Sequence, residues 1–171
     1  MVSFRTAVLI LAGLAAAASA SAQALYSPPE GDFQIAFPET PQVASRPANR
    51  SKDVALRRYV AQEPSRAMIV SIEDFPQGGL PPSADAGVYD RVLRMLAEDH
   101  MGRLVSTRAA RLAGRPCLEG QITGDSGETE IVRVLMLGDR MYQVTYALPE
   151  GAEAQGADTA FFGSFRITKT P

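Results

Sequence analysis

Gly124-Asp125-Ser126-Gly127 is the stretch of the chain whose residue types best suit nucleophilic catalysis. A serine nucleophile needs a histidine base within hydrogen-bond reach, an orienting carboxylate and amides to hold the oxyanion. The chain has a single histidine, His100, and the sequence pattern puts it on a helix. The residue after Gly127 is Glu128, where a serine protease carries a further glycine. Asp, Ser and Gly are also the residues of a tight turn, and a hairpin turn is the expected reading. A serine hydrolase using Ser126 and His100 is the least favoured of three functional readings.

Other chemistries find fewer residues. One histidine and one distant cysteine are too few for a zinc site, and a calcium loop needs clustered carboxylates. Glu73-Asp74 and Glu98-Asp99 are adjacent pairs. Neighbouring strand residues point to opposite faces, so Glu73 and Asp74 cannot act as an acid/base couple. Gly78-Gly79 is followed by prolines and does not open a helix, so it reads as a flexible loop and not a phosphate cradle. No cofactor is expected. Cys117 is the lone cysteine, so no intramolecular disulfide forms, and it reads as a small buried hydrophobe. His100 lies in the last turn of its helix, at the edge of the apolar stripe, as a packed or capping residue. Arg103, Arg108, Arg111 and Arg115 gather around one strand, a basic cluster able to meet an acidic partner or anionic head groups.

The formal net charge is −2. That balance argues against nucleic-acid binding, which favours a basic excess. Arg5 is the only charge before residue 30. An apolar run over residues 7–14 and a small-residue stretch with two A-x-A sites follow, ending at Ala20 and Ala24. This order predicts a secretory signal peptide over residues 1–24, cut after Ala24 in preference to Ala20. The apolar run is shorter than the roughly 20 residues of a membrane span. No cysteine follows it to carry a lipid. A soluble periplasmic or secreted product is expected, with one domain over residues 25–171 and no transmembrane span once the signal is removed. The oligomeric state is left open.

Along that domain, residues 32–37 alternate, with Phe33, Ile35 and Phe37 on one face, and read as a strand. Residues 38–52 hold three prolines and read as a loop. Strands are expected over 54–61 and 67–75, with a hairpin turn at Glu63-Pro64-Ser65. After a Gly/Pro loop at 76–82 comes a helix, with Ser83 as N-cap and Asp85 in its first turn. Val88, Tyr89, Val92, Leu93 and Leu96 form its apolar stripe, and Gly102 follows its end. Four strands are expected at 103–112, 117–123, 130–137 and 141–148. A short helix over 154–162 turns Phe161 and Phe162 to the core, and residues 164–167 dock as a tail. Short connections make the pairings antiparallel. The expected class is α+β: one antiparallel sheet of about seven strands, with the central and C-terminal helices packed on it.

The opening Gly31-Asp32-Phe33-Gln34-Ile35-Ala36-Phe37-Pro38, the mid-chain helix, the turn Ala113-Gly114-Arg115-Pro116, the strand meander and Phe161-Phe162-Gly163-Ser164-Phe165 together resemble the PsbP-like α/β/α sandwich proteins. The resemblance spans nearly the whole expected domain and rests on core positions and turns. It implies a sheet flanked by helices and a role in binding or assembly, and it supplies no site residue. An export signal without a catalytic constellation makes the leading reading a non-enzymatic periplasmic factor that binds or assembles an unknown protein partner, through the sheet face or the segments 38–52 and 76–82. The second reading is a carrier with an apolar pocket between helix 83–101 and the sheet.

Overall fold

The structure is a computed structural model that describes residues 25–48, 51–80 and 85–169. The expected signal peptide at 1–24 and the expected N-cap Ser83 lie outside the described residues. In chain order the elements are β1 (Phe33–Gln34), β2 (Gln42–Ala48), β3 (Ser51–Glu63), β4 (Arg66–Asp74), α1 (Ala86–Asp99), β5 (Gly102–Leu112), β6 (Arg115–Gly124), β7 (Thr129–Leu137), β8 (Arg140–Leu148), α2 (Ala157–Ser164) and β9 (Arg166–Ile167). Seven strands form one sheet in the order β2-β3-β4-β8-β7-β6-β5, and β1 pairs with β9 in a separate ribbon. Each of these pairings is antiparallel. The α+β class and the seven-stranded sheet agree with the sequence reading, but the membership of the sheet does not.

Residues 38–52 are not a loop: β2 runs through them as an edge strand. Pro47 sits at the bulge where the β2–β3 register shifts. A proline is tolerated there because an edge strand need not donate on its outer side. The segment at 164–167 is likewise more than a docked tail, since Arg166 and Ile167 pair with Gln34 and Phe33. The expected first strand shrinks to the two residues that this short partner can reach.

The two helices lie on opposite faces of the sheet. Along β8 the side chains alternate: Tyr142, Val144, Tyr146 and Leu148 join Phe161, Phe162 and Phe165 in one core, whereas Met141 joins Leu93 and Ala97 of α1 in another. The first core is aromatic. Phe33 stacks on Phe165 at 5.7 Å and meets the edge of Tyr59 at 5.0 Å, geometries that suit the quadrupole of the rings. Helix α2 starts three residues later than expected, because Gln155 and Gly156 both hold positive φ and break any earlier helical turn.

A ring of charges closes this side. Asp32, only 4% exposed, takes Arg57 at 2.5 Å and Arg140 at 3.3 Å. Asp74 contacts the same two arginines, Arg57 at 3.0 Å. Two cations and two anions therefore balance, and they tie the N-terminal segment to β3, β4 and β8. Buried charge is tolerated only when matched in this way.

Helix α1 rests on β5, β6 and β7. Asp85, expected inside the first turn, is in fact the N-cap, accepting from the Val88 amide at 2.9 Å. At the other end Met101, not Gly102, takes the left-handed conformation, with φ of 52°. Gly102 serves a different need: a Cβ there would lie 2.8 Å from the Thr123 carbonyl across the β5–β6 pair.

Gly120 of β6 sets the height of the helix. A Cβ at this position would stand 2.9 Å from both terminal carbons of Leu93, which is fully buried. Overfilling a packed core costs about 1–3 kcal/mol. Gly120→Val is expected to destabilise the protein by that amount, read as a lowered denaturant midpoint with an unchanged slope.

Candidate ligand cavity between the helix and the sheet

Beside the packed seam of α1 lies a cavity of about 390 Å³. Its helix wall is Val88, Val92, Met95 and Leu96. The stripe read from the sequence thus does two jobs: Leu93 is fully buried in the core with Ala97, while the flank of the stripe faces open space. The sheet supplies Val54 and Leu56 from β3, Met136 from β7 and Met141 from β8. Met136 and Met141 are direct cross-strand partners, and unbranched thioethers conform readily to irregular apolar shapes.

Phe75 and Leu80 close a third side. They are held by the β7–β8 turn: the Phe75 amide donates to the Asp139 carbonyl at 2.8 Å, and the Gly78 amide to its carboxylate at 3.1 Å. The Gly79 amide donates to the Pro76 carbonyl at 2.7 Å. The segment expected to be a flexible glycine loop is therefore a pinned turn. Tyr89 fixes the helix to the sheet through its hydroxyl, which accepts from the Met136 amide at 3.2 Å.

The remaining wall is polar. Arg58, Ser71 and Gln143 lie directly across from one another on β3, β4 and β8, and Glu73 is two residues further along β4. All four share the α1 face of the sheet. The Gln143 amide donates to Glu73 at 2.7 Å, and the Arg58 Nε donates to the Ser71 hydroxyl at 3.2 Å. Burial raises the pKa of Glu73 above the ordinary carboxylate value, against the opposing pull of the Gln143 bond. Arg58, Glu73 and Gln143 line the cavity, together with Asp99 and His100 from the end of α1. Sequence reasoning passed over Arg58 and Gln143, and took Glu73 only as half of the Glu73-Asp74 pair. The available signal was the presence of long polar residues at inward-facing positions of otherwise apolar strands.

Glu73 and Asp99, weighed in the sequence as halves of adjacent acidic pairs, reach this cavity, as does His100. His100 is the C-cap of α1, and its Nδ1 lies 2.7 Å from a Glu130 carboxylate oxygen. Ser126 donates to Glu128 at 2.5 Å in the turn after β6, and that bond holds the Glu128 carboxyl below its usual range. Among the described residues no hydrogen bond joins Ser126 to His100. Cys117 is buried, and burial pushes its thiol up to about 11. The four basic residues divide between the sheet faces. Judged by their partners on β6, Arg103, Arg108 and Arg115 share one face and Arg111 takes the other. Arg108 meets Glu119 at 2.5 Å, and Arg111 donates to the Gly114 carbonyl.

Among the described residues no group of three or more His, Cys, Asp or Glu side chains is placed to hold a metal ion. Nor is any described helix long and apolar enough to cross a membrane.

The chain is similar to the solution structure of cyanobacterial PsbP (CyanoP) from Synechocystis sp. PCC 6803. The two superpose with a TM-score of 0.56 at 12% identity, over 90% of this chain and 98% of that one. The fold is PsbP-like. A crystal structure from Bacteroides thetaiotaomicron aligns with a TM-score of 0.42 at 12% identity, over 85% of this chain and 48% of the other. No family model and no curated protein matches the sequence.

The hydrogen bond to Glu130 raises the pKa of His100 above its ordinary value of 6.5, with burial opposing. The folded state therefore holds the imidazolium proton more tightly than the unfolded chain does. Its contribution is fully present below about pH 6.5 and is lost as the pH rises through the folded value. Thermal unfolding followed between pH 6 and 9 should show the wild type losing about 1 kcal/mol relative to His100→Gln as the pair discharges. Parallel curves for the two proteins would contradict it.

Proposed function

We propose that this protein is an exported, non-enzymatic carrier of a small, largely apolar molecule, held in the cavity between α1 and the sheet. The observation that supports the reading is the cavity itself. Its volume lies within the roughly 300–1,000 Å³ of small-molecule sites, and such sites combine apolar walls with a few placed polar groups. Ser126 and His100 each hold a different acidic partner, which favours binding over hydrolysis. Arg5, the apolar run and the A-x-A sites favour export to the periplasm with a cut after Ala24.

Native mass spectrometry of periplasmic protein, purified without denaturation, is expected to give a chain starting at Leu25 with a bound small molecule. Val88→Trp, which fills the cavity from the helix side, should keep the fold and lose the adduct. Bare protein from several growth conditions would sink the carrier reading, and protein retained in the cytoplasm would sink export.

A second reading, a factor that binds or assembles another protein, is favoured by the two sheet edges. Val43 on β2 is 55% exposed and Val105 on β5 is 47% exposed, and an open edge can pair with a partner strand. Under it, a partner enriched by the wild type from periplasmic extract should be lost by Val43→Asp or Val105→Asp. Equal enrichment by all three proteins counts against edge binding.

A further inference from the structure

We infer that the molecule carried in the cavity is a single-tailed amphiphile with a carboxylate head, received by Arg58. This rests on the carrier reading above and adds the chemical class of the ligand.

The arginines of the sheet are unequally partnered. Arg57 and Arg140 share Asp32 and Asp74. Arg108 and Arg133 share Glu119. Arg58 differs from these four: its Nε donates to a neutral hydroxyl, Ser71 Oγ, and among the described residues its guanidinium forms no ion pair, Glu73 acting on it only at longer range. It is half-buried and lines the polar wall of the cavity. A cation in such surroundings is stabilised by an opposite charge brought into contact with it. With Nε engaged, the terminal nitrogens of the guanidinium remain, and their fork matches the two oxygens of a carboxylate.

The other polar groups narrow the head further. Glu73 and Asp99 line the same cavity and offset the positive charge that Arg58 and Arg46 bring to it, so a head of single negative charge suits the site better than a doubly charged phosphate. One oxygen of Glu73 is already occupied by the Gln143 amide, and Arg58 repels an ammonium head. The volume sets the tail. A methylene group takes about the space of a water molecule, ~30 Å³, so the 390 Å³ cavity accepts about a dozen non-hydrogen atoms. Decanoate has that size.

Isothermal titration of the purified protein with decanoate, decanol and decylamine tests the assignment. Decanoate should bind one to one, at least tenfold tighter than decanol, with decylamine weaker still. Arg58→Gln should lower decanoate affinity to the level of decanol and leave decanol unchanged, and Arg58→Lys should recover part of the difference. Decanol binding as well as decanoate, or an Arg58→Gln protein that keeps its preference, overturns the carboxylate assignment while leaving the carrier reading intact. If none of the three binds to protein shown to be folded by circular dichroism, the carrier reading falls and this inference with it. The comparison of the three ligands on the wild type decides the matter even where Arg58→Gln does not fold.

Discussion

A seven-stranded sheet is wider than one helix. At about 4.8 Å between strands the sheet measures about 29 Å across, while a helix with its side chains is about 10 Å wide. Helix α1 can therefore cover two or three strands, and it covers β5, β6 and β7. It sits low there because Gly120 offers Leu93 no obstacle. The same placement leaves the β3–β4 side of that face less closely packed by the helix. The cavity forms along the boundary between the covered and uncovered strands, and the residues on the uncovered side include Arg58, Ser71, Glu73 and Gln143. Cavity and polar wall are two results of one mismatch in width.

The opposite face meets the same demand in another way. It has only the short helix α2, and the shortfall is made up by large rings and by the β1–β9 ribbon. Phe33, Tyr59, Phe161, Phe162 and Phe165 fill space that small side chains could not. At the sheet margin the Asp32–Arg57–Asp74–Arg140 ring takes over from apolar packing. That side keeps a cleft of about 630 Å³ beside Arg66, Tyr146 and Gln155, while the cavity with mainly apolar walls lies under α1.

Long elements with strong periodicity were legible in the sequence. The helix stripe and the alternation of Tyr142, Val144, Tyr146 and Leu148 foretold α1, β8 and the faces they bury. Strand β2 was not legible, because its described side chains are exposed on both faces and carry no alternation. Pro47 pointed the wrong way as well. The ribbon strands are too short, at two residues each, to leave a period. A pocket between helix and sheet could be named as a possibility, but its polar wall could not. Arg58, Glu73 and Gln143 come from three strands, and only the register that sets Ser71 opposite both Arg58 and Gln143 brings them together.

Cys117 pairs across from Ala110 inside the aromatic core, and this has a consequence in time as well as space. With its pKa near 11, about one thiol in ten thousand is ionised at neutral pH, and the thiolate is the form that oxidants and other thiols attack. In an oxidising compartment the folded protein is thus nearly inert at this position, while the unfolded chain is not. The vulnerable period ends when the β5–β6 hairpin packs beneath α2. Burial in the folded core, and not the presence of a second cysteine, is what keeps this thiol from cross-linking to a neighbouring chain.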